Sequence, residues 1–244
     1  EAAEEAGRLQ VTLLGTGNPR PNMELFGPSI LVEAGPRKIL IDAGRGATQR
    51  LFEIGARGTL TTVDAVFLTH LHSDHVVGLP DVWLTSWVFG RAKALEVVGP
   101  PGTAEMSGHL EQAFKWDVEM RSKDEGFPLE GVRLAARNVE PGVVFERDGL
   151  KVTAFAVNHG GVIDPAYGYR VDYQGRSVAF SGDTRFFEPL VDHARGVDVL
   201  VHEVIDLDAL LDAVDDLVAL GYTDVIELDG GFDAWVETGR RLDS

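Results

Sequence analysis

The sequence predicts an α/β fold in which sheets are covered by helices. In the first half of the chain, short apolar segments bounded by glycine and proline turns alternate with segments of helical spacing, which is typical of strands interleaved with helices. From residue 132 to residue 180 the pattern is mostly strand. The 244 residues, of which 44% are hydrophobic, are enough to bury a sizeable core.

The first 114 residues predict five strands and three helices. Each strand is a short apolar or alternating run that stops at a turn, as the first does at the loop 15–19. The strands are expected at 8–14, 29–33, 38–42, 65–69 and 95–98. Apolar residues at helical spacing predict helices at 48–54, where Gly55 ends the pattern, at 80–89 and at 108–114.

Residues 133–202 predict a second group of strands. The strand pattern recurs at 133–139, 143–147, 150–157, 167–173 and 177–181. A helix at 188–194 then leads into a strand at 197–202. Long antiparallel runs next to strands interleaved with helices favour sheets covered by helices.

The composition changes after His202. Residues 203–244 contribute −10 to the net charge of −17, and their apolar spacing predicts an amphipathic helix between Asp206 as its N-cap and Gly221. A strand at 224–228 and a short helix at 232–238 follow. We therefore predict a main domain at residues 1–205 and an atypical acidic helix–strand–helix tail at 206–244, docked on the same domain.

Composition excludes several functions. A net charge of −17 gives the protein no general electrostatic reason to bind nucleic acid or an anionic membrane surface. No run approaches 18 apolar residues, so no membrane partner is expected. The absence of cysteine excludes disulfides, thiolate zinc sites and a cysteine nucleophile. The polar, alanine-rich start of the sequence favours a periplasmic or secreted protein, with the cytoplasm as the alternative.

The strongest functional signal is a cluster of polar residues directly after the apolar strand near residue 65. It reads His70-Leu71-His72-Ser73-Asp74-His75. Imidazoles and a carboxylate that converge from a loop at a strand end suit zinc, manganese or iron. Three further candidates follow predicted strands: His159, Asp183 and His202. The remaining histidines, His109 and His193, lie in helical stretches and are expected to face solvent.

This pattern, with His159 and Asp183 following the cluster in order, resembles the metallo-β-lactamase superfamily of metal-dependent hydrolases. The surrounding motifs are closer to its ribonuclease Z and arylsulfatase-like branch: Leu14-Gly15-Thr16-Gly17, Asp42-Ala43-Gly44, Phe67-Leu68-Thr69-His70, Ser181-Gly182-Asp183-Thr184 and Leu200-Val201-His202-Glu203. The resemblance covers about residues 9–205. It implies a four-layer αββα sandwich with the metals at one edge, and a metal-dependent hydrolase in the 1–205 domain.

The resemblance also implies a role for each site residue. His70, His72 and His159 would hold one metal, Asp74 and His75 a second, and Asp183 would bridge them. His202 matches the histidine that ribonuclease Z-like enzymes place near the leaving group. Asp74 and His202 are thus the catalytic candidates. Two Zn²⁺ ions are expected, with Mn²⁺ or Fe²⁺ as alternatives, and no other cofactor is indicated.

One feature of the superfamily is missing from the sequence. The family normally supplies another metal-ligating histidine after a helix and a late strand, but no histidine follows His202. The tail instead resembles the end of a rhodanese domain, without that family's catalytic cysteine. Asp229, or less favourably Glu227, would stand in the place of the missing ligand, although Asp229 is better interpreted as the start of an Asp-Gly-Gly turn. The second metal is therefore expected to bind more weakly.

The predicted substrate is a small ester: a phosphodiester, a sulfate ester or a carboxylic ester. Only 24 positions separate His159 from Asp183, too few for the long tRNA-gripping arm of ribonuclease Z. Five arginines near the ligands could clamp one anionic group: Arg20, Arg45, Arg170, Arg176 and Arg185. Four aromatic residues could line an aryl pocket but are more simply core: Trp83, Trp87, Phe89 and Trp116.

Two alternatives stay open beside the small-ester hydrolase. One is a ribonuclease Z-like endonuclease, although nucleic acid is judged an unlikely partner. The other is a catalytically weak metal-binding protein with an incomplete second site. A homodimer is also left open.

Overall fold

The computed structural model describes residues 8–185 and 187–202. Within them two β-sheets pack face to face and helices cover their outer faces, so the predicted αββα sandwich is confirmed. The acidic tail, with its predicted helices, its rhodanese-like pattern, Glu227 and Asp229, lies outside the described residues. No helix among the described residues is long and apolar enough to cross a bilayer.

The first sheet has six strands in chain order. They are β1 (Leu9–Gly15), β2 (Ser29–Ala34), β3 (Arg37–Ile41), β4 (Ala65–Phe67), β5 (Leu95–Gly99) and β6 (Leu134–Asn138). The β1–β2 and β2–β3 pairs are antiparallel, whereas β3 to β6 run parallel. The parallel strands β3, β4 and β5 are buried on both faces, which explains why they read as short continuous apolar runs.

The second sheet has five strands in the order β11-β10-β9-β8-β7. They are β7 (Gly142–Arg147), β8 (Leu150–Val157), β9 (Ala166–Tyr173), β10 (Arg176–Phe180) and β11 (Val199–Val201). Its neighbours are antiparallel except β10 and β11, which run parallel. As a result β8, β10 and β11 all end at the same edge of the sheet.

The helices are α1 (Ala47–Thr62), α2 (Ser73–Val76), α3 (Leu79–Val88), α4 (Thr103–Ala113), α5 (Lys115–Asp124) and α6 (Glu188–Ala194), with one 3₁₀ turn at Leu129–Val132. The first sheet packs on α3 through Trp83 and Trp87, both buried. Their indole N–H groups donate to the carbonyls of Val132 and Pro128. These two tryptophans are core residues rather than the wall of an aryl pocket.

The core between the sheets is built from alternate residues of facing strands. Phe67 of β4 meets Phe145 of β7 and Tyr169 of β9 edge-to-face, with ring centroids 5.8 and 5.5 Å apart. At the far end of the sandwich, Arg37 bonds Asp64 of its own sheet and Asp148 of the second sheet, at 2.8 and 2.7 Å. The two sheets are thus held together at that end by a charged bridge.

Several helices differ from the sequence-based expectation, and for two of them the physical reason is clear. The first does not end at Gly55: Gly55 and Ala56 leave the helical conformation, with φ of −152° and 47°, and the chain resumes as helix to Thr62. Apolar spacing cannot show whether a helix restarts beyond such a kink. The second, α5, has no buried residue, so it carries no apolar stripe for a sequence pattern to reveal.

A matched pair of glycine substitutions tests the packing. A Cβ at Gly168 in β9 would lie 2.3 Å from Phe155 Cε2 and 2.8 Å from the carbonyl oxygen of Phe180. Gly168→Ala should therefore lower the free energy of unfolding by about 1–3 kcal/mol. Gly108 is an exposed position of α4 with nothing within 4 Å of its Cβ, so Gly108→Ala should raise it by roughly 0.5–1 kcal/mol. Urea unfolding midpoints measure both, and equal shifts would contradict the packing.

Candidate metal centre

The polar candidates from the sequence converge at one edge of the sandwich. The segment 70–75 follows β4, while His159, Asp183 and His202 follow β8, β10 and β11. The sheets join at this edge, because the Tyr167 amide donates to the carbonyl of Thr69 at 2.8 Å. Side chains from both sheets therefore reach one buried space.

Three imidazoles form the first group. The ligand nitrogens of His70, His72 and His159 all lie within 4.8 Å of one another. His70 Nε2 and His72 Nδ1 are 3.0 Å apart, close enough for both nitrogens to contact one ion at about 2.0–2.1 Å. His70 is buried, and the other two are partly exposed.

The second group consists of His70, His75 and Asp183, again with ligand atoms within 4.8 Å. Asp183 faces both groups with different oxygens: its Oδ1 lies 3.3 Å from His75 Nε2, while its Oδ2 lies 3.7 Å from His159 Nε2. This is the placement that a bridging carboxylate requires. Asp74 is buried beside the second group, with Oδ2 3.7 Å from His75 Nε2.

The carboxylate of Asp42, at the end of β3, organises both groups. It accepts the Thr69 amide and the Thr69 hydroxyl, each at 2.8 Å, and it lies 2.8 Å from His75 Nδ1. Because a carboxylate only accepts, His75 donates from Nδ1 and turns Nε2 toward the centre. Asp42 begins the motif Asp42-Ala43-Gly44, but the motif alone does not indicate this role. Its position directly after a buried strand was the available signal.

The same carboxylate fixes the tautomer of His70 indirectly, through the Thr69 hydroxyl. Since the Thr69 hydroxyl donates to Asp42, it accepts from His70 Nδ1, 3.0 Å away. The proton on Nδ1 leaves Nε2 of His70 as a bare lone pair directed into the centre. Two of the candidate ligands are thus oriented by one buried acid.

Close backbone contacts hold the histidine segment in place. Gly78 N–H donates to the Ala43 carbonyl, and Ala43 N–H donates to the His75 carbonyl, at 2.9 and 2.8 Å. A Cβ at Gly78 would lie 2.0 Å from the carbonyl oxygen of Gly44, and one at Gly44 would lie 2.6 Å from that of Asp74. Glycine is required at both positions because the two loops are in backbone contact.

The imidazoles of His70 and His75 differ in charge. Burial, helped by the charge on His75, lowers the pKa of His70 to about 3, so its ring is neutral at physiological pH. Burial also lowers the pKa of His75, but the carboxylates of Asp42 and Asp183 outweigh it and raise that pKa to about 11. A metal that binds His75 must displace this proton.

The residues fit a divalent metal. His159 Nε2 is buried and has no hydrogen-bond partner, which is costly unless an ion or another group satisfies it. Imidazole nitrogens with carboxylate oxygens are the donor set that zinc and related ions take. His202 follows the end of β11, whose Val201 carbonyl accepts the Ser181 amide, so it lies beside the Asp183 loop.

The other two histidines lie outside the site, and two of the arginines that were expected to clamp an anion are paired elsewhere. His109 is exposed on α4 beside Glu105, and the ring of His193 on α6 stacks on Phe155. Arg170 and Arg176 belong to strands of the second sheet and are paired with Asp172 and Asp198. Arg176 starts β10, so it lies at the end of the sandwich opposite the metal centre.

Comparison with known proteins gives a family match. The family described as "Beta-lactamase superfamily domain" matches residues 37–212, a span that includes His70, His72, Asp74, His75, His159 and Asp183. Two curated relatives named ribonuclease Z are similar over most of the chain. The one from Mycobacterium marinum is 38% identical over 205 residues, covering 83% of this chain and 72% of that protein. The one from Mycobacterium bovis is 39% identical over 203 residues, covering 82% and 71%.

Solved structures show the same fold. The short form of human tRNase Z superposes with a TM-score of 0.66 at 22% identity, covering 85% of this chain and 82% of that one. A diphosphatase from the PhnP family superposes with a TM-score of 0.61 at 21% identity, covering 86% and 83%.

The predicted partners are wrong. We expected a small-molecule ester and judged nucleic acid unlikely, but the similar curated proteins are ribonucleases. The error came from treating the net charge as uniform. Residues 203–244 carry ten of the seventeen net negative charges and residues 1–7 carry three, which leaves only −4 on residues 8–202. The short interval between His159 and Asp183 excludes only an RNA-binding arm inserted between these two residues.

Asp42→Asn tests the organising role of this carboxylate. The amide cannot replace an ionised acceptor for His75 Nδ1, so the affinity for the metal at His75 should fall by about 10- to 100-fold. Zinc titration of the metal-free protein against a competing chelator measures this. Asp148→Asn is the control, because it removes an equal charge at the far end of the sandwich. Equal affinities in Asp42→Asn and the parent protein would show that Asp42 does not support the metal.

Proposed function

Because the chain belongs to the metallo-β-lactamase superfamily and is a metal-dependent hydrolase, we propose that it is a ribonuclease Z-like endonuclease that cleaves a phosphodiester bond in tRNA-type RNA. The observation that carries the proposal is the similarity to proteins named ribonuclease Z, at 38% identity over 205 residues. The centre supports it, since a buried set of histidines and carboxylates suits metal-assisted phosphodiester hydrolysis.

The proposal assigns the ligands to two zinc ions. His70, His72 and His159 would hold the first, because three imidazole nitrogens form a complete face for zinc. Asp74 and His75 would hold the second, and Asp183, whose two oxygens face His75 and His159, would serve both ions. Asp42 keeps His75 and, through Thr69, His70 in the tautomers that ligation needs.

Divalent ions bound here would make hydroxide available near neutral pH and stabilise charge on the phosphoryl oxygens. Side chains of the protein orient the reacting groups and supply the proton. Asp74, buried beside His75, orients the attacking oxygen. His202, at the end of β11, donates a proton to the departing oxygen, which lowers the barrier to breaking the ester bond. The loops bearing His159 and Asp183 are bonded to each other, because Asn158 N–H donates to the Thr184 hydroxyl at 3.1 Å.

A cleavage assay tests the proposed activity. A labelled tRNA transcript with extra nucleotides at both ends should give discrete products on a denaturing gel, and chelation of the metal should abolish them. His72→Ala, which removes a ligand of the first metal, is the matched control and should be inactive with less bound zinc. If the zinc-loaded protein leaves the transcript intact while it hydrolyses a chromogenic phosphodiester, the proposed RNA substrate is wrong.

His202→Ala separates proton donation from ligation. The substitution should leave the zinc content unchanged and lower the rate of transcript cleavage by about 10²-fold or more, the typical value of general acid help. Metal analysis and single-turnover cleavage measure the two effects. A loss of zinc in this variant would mean that His202 is a ligand, and an unchanged rate would remove it from the chemistry.

A further inference from the structure

Arg185 is carried by a loop that is tied to the metal centre. It lies two positions after Asp183, and its backbone N–H donates to the carbonyl of Asn158 at 2.9 Å. The adjacent Thr184 hydroxyl accepts the Asn158 amide. The backbone of Arg185 is therefore fixed relative to His159, which directly follows Asn158.

The guanidinium of Arg185 rests on Gly160, the residue after His159. A Cβ at Gly160 would lie 2.8 Å from Nε and 2.9 Å from Cζ of Arg185. Gly160 also has a φ of +89°, a conformation that side chains rarely adopt. Glycine at this position leaves the space that the guanidinium occupies. An exposed arginine is thus held beside a candidate metal ligand rather than extended freely into solvent.

No carboxylate among the described residues forms an ion pair with Arg185, in contrast to Arg170, Arg176 and Arg195. A cation placed next to a site for divalent ions is repelled when those ions bind, and Arg185 has no ion pair of its own among the described residues to offset that repulsion. An anion bound from solution would supply the negative charge that Arg185 lacks and would explain its position. Guanidinium binds phosphate through two parallel N–H···O bonds and does so without reading base sequence.

We propose that Arg185 binds a backbone phosphate of the RNA next to the scissile phosphodiester. This inference rests on the proposed function. The scissile phosphate itself meets the metals, whereas Arg185 flanks them on the His159 side. Arg185 is therefore a positioning residue: it holds the strand equally in the bound state and in the transition state. Its removal should raise KM while kcat is unchanged.

The test compares Arg185→Gln and Arg185→Lys with Arg176→Gln, which removes the same charge at the opposite end of the sandwich. For cleavage of the extended tRNA transcript, Arg185→Gln should raise KM by about tenfold or more, as expected for a lost hydrogen-bonded charge. Arg185→Lys should recover part of this loss, because lysine keeps the charge but not the paired bonds. Arg176→Gln should leave KM close to that of the parent.

A salt titration gives a second readout that does not depend on turnover. In a His202→Ala background, where cleavage is slow, binding of the transcript is followed by fluorescence anisotropy at several salt concentrations. Arg185→Gln should reduce the slope of log Kobs against log salt by about one, the loss of one phosphate contact. Zinc content and thermal stability should match the parent protein, since a merely structural role at Gly160 would disturb His159 and release metal.

The outcomes distinguish the inference from the function on which it rests. If the parent cleaves the transcript but Arg185→Gln keeps its KM and salt slope, the phosphate contact is wrong and the function stands. If kcat falls and KM does not change, Arg185 acts on the scissile phosphate and the inference is overturned. Loss of zinc in Arg185→Gln would also overturn it. If the parent does not cleave RNA at all, the proposed function itself fails.

Discussion

The buried carboxylate of Asp42 is the constraint on which the centre depends. It receives the amide and hydroxyl of Thr69 and the ring of His75, so its charge is satisfied by three donors. Burying this carboxylate with fewer donors would cost free energy. The hydrogen bonds are therefore cooperative, because the donors stabilise the buried acid and the acid fixes the positions of the donors. Because Thr69 also accepts the Tyr167 amide of the second sheet, the acid that orients two histidines also sits at the junction of the sheets.

Topology explains why the site lies at that edge. The strands that carry the ligands, β4, β8 and β10, all end there, while the Arg37 bridge to Asp64 and Asp148 joins the sheets at the opposite end. Two of the loops at the ligand edge are bonded backbone to backbone, as Ala43 and Gly78 show. Rigid strands and tied loops place side chains more precisely than free loops do, which a metal centre requires.

Much of this architecture was predictable from the sequence, and the exceptions have physical causes. The strands could be predicted because burial on both faces requires continuous apolar runs. The cluster at His70 could be predicted because a metal site requires several histidines close together. The solvent-facing α5 leaves no such pattern. The role of Asp42 depends on a contact with His75 across 33 positions of the chain. The sequence could not show which of the arginines lie near the metal centre. Only the fold places Arg185 beside the centre and Arg176 at the opposite end of the sandwich.

The acidic composition is compatible with an RNA substrate once distance is considered. At physiological ionic strength the field of an exposed charge is screened within about 8 Å, so a phosphate responds to the groups around it and not to the sum over the chain. Most of the net negative charge lies in residues 203–244, whereas residues 8–202 carry 20 bases against 24 acids. A divalent centre flanked by Arg185 can therefore present a locally positive surface on an acidic protein. For the proposed RNA substrate, the charges at the metal edge therefore matter more than the net charge.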